Sequence, residues 1–156
     1  MATAGVTGVR SVALGVVDLK ARTSFYTDIW RLAPVEQRPD AVYLRGTDAY
    51  HHILALHARP EPVLLSLDFA APDRDAVAAM HAALKGAGIA EIAAPAPISE
   101  PGGGYGFACR DPDGRSLRVI AGDARHADAA ASISCPRCGR KAPLARMWAS
   151  CGHAPV

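Results

Sequence analysis

The chain has 156 residues, 50% of them hydrophobic and 21% charged, with a formal net charge of +2 and a pI near 8.4. At this length folding buries roughly 70% of the surface that the unfolded chain exposes, so one compact domain needs no disulfide framework. The arginines are scattered rather than gathered into a stripe with interleaved aromatics, and no apolar run approaches the ~18 residues of a membrane helix. Nucleic acid and membrane are therefore disfavoured as partners, and the cytoplasm is the expected location.

Residues 9–17, VRSVALGVV, read as a strand, and Asp18 follows as the N-cap of a helix over LKARTSFYTDIWRL. Within that helix Phe25, Ile29 and Leu32 recur at i, i+4 and i+7 and are expected to face a core. Strands are expected at 35–38, 41–45 and 52–56, with Pro39-Asp40 and Gly46-Thr47-Asp48 as turns. The order then begins again. LLSLDFAAPD is a strand, Asp73 caps, and RDAVAAMHAALKGAG is a helix with Val77, Met80 and Leu84 on one face and Gly86 or Gly88 closing it. Further strands fall around 89–93, 104–110 and 116–121, the last two joined by the hairpin signal DPDG. Ser11 and Ser66 are 55 residues apart, and so are Asp18 and Asp73. Strand and helix start thus keep register in a tandem βαβββ repeat.

The stretch HHILALH, 51–57, holds three of the six histidines. Successive residues of a regular strand point to opposite faces, so His51 and His52 diverge, while His51 and His57 share a face about 20 Å apart. Within one regular strand they do not chelate one ion. PGGGYG lacks a following Gly-Lys-Ser/Thr and a helix, which argues against a phosphate loop. Cys109, alternating in YGFACR, reads as a packed thiol, and Ser11 and Ser66 lack a His-acid context that would activate a hydroxyl.

SVALGVVDLKARTSFYTDIWRL resembles the opening of a vicinal oxygen chelate module, the fold of glyoxalase I, bleomycin-resistance proteins and type I extradiol dioxygenases. PGGGYGFACRDPDGRSLRVIAG resembles the closing hairpin of such a module. AVYLRGTDAYHHILALH followed by GGGYGFACRDPDGRSLRV is most similar to the N-terminal domain of two-domain extradiol ring-cleavage dioxygenases, over roughly residues 8–128. The resemblance implies an α+β fold: two tandem βαβββ modules, at about 8–58 and 62–122, forming one open barrel-like cleft in a domain 1–128. A Cys-containing tail, 129–156, follows it.

Where such a cleft holds a metal, the resemblance implies ligands from the first and last strands of the modules. The first-strand ligand, usually His, falls at Ser11 and Ser66. The last-strand ligand, usually Glu in Asp-Pro-Asp-Gly-x-x-Leu-Glu, falls at Arg118, and at Ala55 in the first module. None supplies an imidazole or a carboxylate, whereas a mononuclear iron or zinc centre needs about three such ligands. If the first-module register is off by two, His57 takes the place of Ala55 with Asp68 beside it, still short of a usual site. A cleft without metal and without catalytic residues is expected. The resemblance implies the same, since N-terminal dioxygenase domains usually hold no metal while the C-terminal partner carries Fe(II) and the catalytic His and Tyr.

The function so expected is that of an extradiol dioxygenase family member in aromatic compound catabolism, comprising only the non-catalytic N-terminal-type domain and inactive alone. Its full-length relatives are oxidoreductases that use Fe(II) and O2 to cleave catechols. The alternative is a metal-free protein of the bleomycin-resistance type that sequesters a small aromatic ligand, with Tyr43, Tyr105 and Phe107 as candidate cleft aromatics. Candidate partners are a second copy of the chain or a separately encoded catalytic half. In the tail, CPRCG resembles a zinc knuckle, and Cys135, Cys138, Cys151 and His153 supply four donors, one residue short of the usual second Cys-x2-Cys/His pair. The competing expectation is an unstructured remnant of a truncated longer gene.

Overall fold

The computed structural model describes residues 5–126 together with Ile133–Ser134 and Lys141–Ala142. Two compact units emerge: Met1–Gly46 with Tyr50–Arg125, and Thr47–Ala49 with His126–Val156. Among the described residues no helix is long and apolar enough to cross a membrane.

The first unit runs β1 (Gly8–Val16), α1 (Leu19–Ser24), β2 (Ala33–Gln37), β3 (Ala41–Arg45) and β4 (Leu54–Ala58). It then repeats the order as β5 (Val63–Ala70), α2 (Arg74–Gly86), β6 (Glu91–Pro97), β7 (Tyr105–Arg110) and β8 (Ser116–Ala121). All eight strands form one sheet in the order β2-β3-β4-β1-β5-β8-β7-β6. Each module contributes one half, and the halves meet where β1 pairs antiparallel with β5. Within each half the first strand pairs parallel with the last, β1 with β4 and β5 with β8. Since β2 and β6 end the order, the sheet is open.

Both helices start where the sequence predicts. Asp18 accepts the Ala21 N–H at 2.9 Å and Asp73 accepts the Ala76 N–H at 2.8 Å, each satisfying a first-turn donor that has no partner inside its helix. Helix α2 lays Val77, Met80 and Leu84 against Phe107, Cys109, Val119 and Ala121. Its His81 pairs with Glu91 on β6. The first helix differs from expectation. After Ser24 it widens into a π-turn over Phe25–Ile29, and Leu32 N–H reaches back to Tyr26 C=O. The wider turn rotates the following side chains, so Leu19, Tyr26 and Leu32 pack on Val16, Val42, Leu44, Leu54 and Leu56, while Phe25 and Ile29 are exposed. Arg31, with φ of 59°, ends the segment.

Two strand boundaries also move. The expected strand at 52–56 is Leu54–Ala58, because ladder bonding begins at Ile53, whose N–H meets Leu44 C=O and whose C=O accepts from Val12. That leaves His51 and His52 in the connection before the strand. The strand expected at 89–93 is Glu91–Pro97, which runs through two prolines; the edge position tolerates them because ladder donors are needed on one side only.

Side-chain alternation divides the sheet into two faces. One carries both helices, and the other carries Ala13, Ala41, Tyr43 and Ala55 from the first module and Ser66, Asp68 and Arg118 from the second. In the second unit β9 (Ile133–Ser134) and β10 (Lys141–Ala142) pair antiparallel. The proposed zinc donors Cys135, Cys138, Cys151 and His153 lie outside the described residues.

Leu56 is fully buried under α1, and Leu56→Ala is expected to cost about 2–5 kcal/mol in urea unfolding. Ile29→Ser is expected to stay within about 0.5 kcal/mol. Comparable losses in both would mean that the helix presents Ile29 inward after all.

Candidate functional site

The helix-free face meets the module boundary at β1 and β5, where Ser11 lies opposite Asp68 and Ala13 opposite Ser66. On the far side of β5, Asp68 lies opposite Arg118 of β8. Four side chains converge as a result. Ser11 Oγ donates to Asp68 Oδ2 at 2.7 Å and Ser66 Oγ donates to Oδ1 at 2.9 Å. Arg118 adds a two-pronged contact, Nε to Oδ1 at 2.7 Å and Nη2 to Oδ2 at 2.6 Å. The other edge of the same guanidinium donates to Glu100, Nη1 to Oε1 at 2.7 Å and Nη2 to Oε2 at 2.9 Å. Arg10 extends the cluster, donating to Ser11 Oγ at 3.1 Å and lying 3.2 Å from Asp123 Oδ2, an ion pair not aligned as a hydrogen bond.

Asp68 is 1% exposed, and burial alone would push its carboxyl up; the Arg118 bonds and charge, with the two serines, outweigh that and hold it below the usual carboxylate value. Burial likewise works against the charge on Arg118, but Asp68 and Glu100 raise its pKa. Asp68 and Arg118 therefore stay ionised as a pair. Its geometry is that of charge-assisted, forked pairing, stronger than neutral hydrogen bonding.

The residues equated by resemblance with metal ligands thus fall into two kinds. Ser11, Ser66 and Arg118 meet at Asp68, while Ala55 lies opposite Ala13 and packs with Ala41 and Tyr43. The internal repeat makes Ala13 the counterpart of Asp68 and Ala55 the counterpart of Arg118, since each pair is matched across the corresponding parallel ladder. This donor set does not fit a metal ion. Of the three carboxylates in the cluster, Asp68 and Glu100 hold the Arg118 guanidinium and Asp123 pairs with Arg10, and among the described residues no group of three or more His, Cys, Asp or Glu could hold a metal ion. Nor does Asp68 join His57, as the shifted register would require; its partners are the two serines, Arg118 and, at 3.9 Å, Arg10.

The histidines pack around Tyr43 instead. The His52 ring lies 5.0 Å from the Tyr43 ring and the His57 ring 5.8 Å from it, both edge to face. His51 Nδ1 and His52 Nδ1 are 3.1 Å apart, so one donates and the other accepts. His52 is 1% exposed, and burial, with Arg10 and His51 adding repulsion, pushes its pKa down to about 4. Burial lowers that of His57 as well.

Tyr105 and Phe107 do not reach this face. They pack with α2 on the opposite side, where Arg74 also covers the Tyr105 ring. Cys109 lies in the same layer, and burial raises its thiol pKa, as suits a packed side chain rather than a nucleophile. Sequence reasoning missed Glu100, Arg10 and Asp123. A usable signal existed for one of them: Glu-Pro-Gly-Gly is the signature of a type II turn, which fixes the backbone from which Glu100 projects.

The model of the Glyoxalase/Bleomycin resistance protein/Dioxygenase superfamily matches residues 8–119. No curated protein matches the sequence. Among solved structures, a Mn(II)-bound glyoxalase from Novosphingobium aromaticivorans is similar with a TM-score of 0.76 and 35% identity, over 78% of this chain and 41% of that one. Homoprotocatechuate 2,3-dioxygenase from Arthrobacter globiformis gives 0.71 and 20% identity, over 78% and 38%. An extradiol ring-cleaving dioxygenase from B. fuscum gives 0.69 and 21%, over 78% and 34%. The chain thus spans well under half the length of each of these proteins, and the two dioxygenase likenesses are likenesses of fold.

Removing Arg118 leaves the buried Asp68 carboxylate with two serine hydroxyls and only the more distant Arg10 as a cation, so Arg118→Met is expected to destabilise by about 3 kcal/mol, with much of the loss recovered when Asp68→Asn is added. Denaturant unfolding of both single variants and the double variant measures this; additive losses would show that the two residues are not coupled. A second expectation concerns acid. The unfolded chain protonates His52 near 6.5 and the folded chain only near 4, so the unfolded state holds more protons between those values. Stability present above pH 6.5 is then lost as pH falls toward 4, by about 3 kcal/mol from this residue. Unfolding curves across that range should flatten in His52→Gln, and an unchanged slope would count against the assignment.

Proposed function

The chain belongs to the glyoxalase/bleomycin resistance protein/dioxygenase superfamily, and on that premise we propose that its eight-stranded unit is a metal-free domain of the extradiol dioxygenase type, one that does not cleave catechols by itself. One observation carries the reading: the Arg118 guanidinium, tied on both edges by Asp68 and Glu100, stands at the last-strand position that resemblance equates with a metal ligand. A divalent cation there would meet a fixed positive charge across a site of restricted solvent access, where repulsion is several times stronger than in water. Displacing Arg118 would in turn leave Asp68 buried without its main partner. The role of such a domain is structural, as the scaffold of a metal-bearing catalytic half or as one side of a shared cleft.

A second reading, sequestration of a small aromatic compound, draws support from the rings on the first-module side, where His52 and His57 pack edge to face on Tyr43. The tail zinc reading rests on the Cys-x2-Cys spacing of Cys135 and Cys138 with Cys151 and His153.

Elemental analysis of the chain, produced with iron and zinc available, is expected to find no stoichiometric iron. Iron-reconstituted protein given catechol is expected to consume no oxygen. Any bound zinc is expected to leave with Cys135→Ser. Retained iron together with sustained ring cleavage would overturn the metal-free reading.

A further inference from the structure

We propose that the outer edge of Arg118 is a carboxylate-binding site, that Glu100 is its built-in occupant, and that a small planar acid of the benzoate type displaces Glu100 from it. The two edges of the guanidinium are not equivalent. The inner edge is matched to Asp68, which is 1% exposed and anchored by Ser11 and Ser66. The outer edge is matched to Glu100, whose side chain is 30% exposed. One carboxylate is built into the sheet and the other arrives from a loop at the rim.

That loop lets the occupant leave without unfolding anything. Gly103 N–H donates to Glu100 C=O at 2.9 Å, with Pro101 second and Gly102 third at a φ of 87°, which makes a type II turn. Gly102 is held tightly: an added Cβ would lie 2.7 Å from His51 Cβ, and its carbonyl accepts the Ala124 N–H at 2.7 Å. With the backbone pinned, opening the site requires only rotation about the Glu100 side-chain bonds, an event of rotamer exchange rather than loop melting.

The chemistry of the displacing ligand follows from the bonds it must reproduce. Nη1 and Nη2 each hold one oxygen of a single carboxylate, a planar fork against a planar fork. A ligand carboxylate restores both bonds and the negative charge directly paired with Arg118. Beyond the fork, the body of the ligand would take the rim position that the Glu100 stem now fills, where the side chain is 30% exposed. A planar acid keeps its carboxylate in line with the guanidinium fork.

This inference deepens the metal-free reading and rests on it only in that Arg118 must not share the site with a metal ion. The two fail separately: retained iron with sustained ring cleavage overturns that reading, whereas a metal-free chain that ignores carboxylates overturns only this one. The test is calorimetric titration of the full chain with benzoate. Because a tethered carboxylate competes at an effective concentration of about millimolar, Glu100→Ala is expected to bind benzoate at least about tenfold more tightly than the unsubstituted chain. Glu100→Gln, which keeps the side-chain volume, is expected to shift affinity the same way. Adding Arg118→Lys to Glu100→Ala keeps a cation beside Asp68 but removes the second prong, and is expected to weaken benzoate by about tenfold or more. The proposal is overturned if the unsubstituted chain takes up no benzoate at any concentration, if adding Arg118→Lys to Glu100→Ala leaves the affinity unchanged, or if inorganic phosphate binds as tightly as benzoate.

Discussion

A buried carboxylate with three hydrogen-bonding partners is the interaction on which the rest of this molecule depends. Asp68 sits on β5, which borders β1 of the first module on one side and β8 of its own module on the other. Leaving that charge in a dry sheet interior would cost several kcal/mol, and the Ser11 and Ser66 hydroxyls with the Arg118 fork offset it. Since Ser11 belongs to the other module, the same contact that keeps Asp68 ionised also fixes how the two halves of the sheet meet. A buried polar network of this kind sets register as much as stability, because sliding β1 against β5 would separate Ser11 from Asp68.

The tandem repeat then explains why the helix-free face is lopsided. The position that holds Asp68 in the second module holds Ala13 in the first, and the position that holds Arg118 holds Ala55. Two small side chains leave room for Tyr43, and the rings of His52 and His57 gather on it. One half of the face is therefore packed and aromatic, and the other is charged. Glu100 belongs to the charged half, bonded to Arg118.

Much of the architecture was legible in the sequence because it rests on local rules. The 55-residue interval, the two aspartate caps, the apolar face of α2 and the hairpin at 111–114 each depend on residues close together in the chain. Where local rules misled, a nearby geometric change was responsible. The π-turn after Ser24 rotated Phe25 and Ile29 out of the core that a regular helix would have given them. Likewise, Tyr105 and Phe107 were expected to reach the cleft, but the position of α2 puts them in the same packed layer as Cys109.

Sequence by itself determined that two βαβββ modules exist, where their helices begin, and that Ser11, Ser66, Ala55 and Arg118 offer no imidazole or carboxylate. What Arg118 does instead was decided only by tertiary structure. Its partners lie 50 and 18 residues away along the chain, and Ser11 reaches Asp68 across 57. Contacts at such separations arise from strand order and register, which no short-range pattern encodes. A charged residue at a buried strand position announces that a partner must exist, because an unpaired charge there is too costly; which residue answers it is settled only when the strands come together.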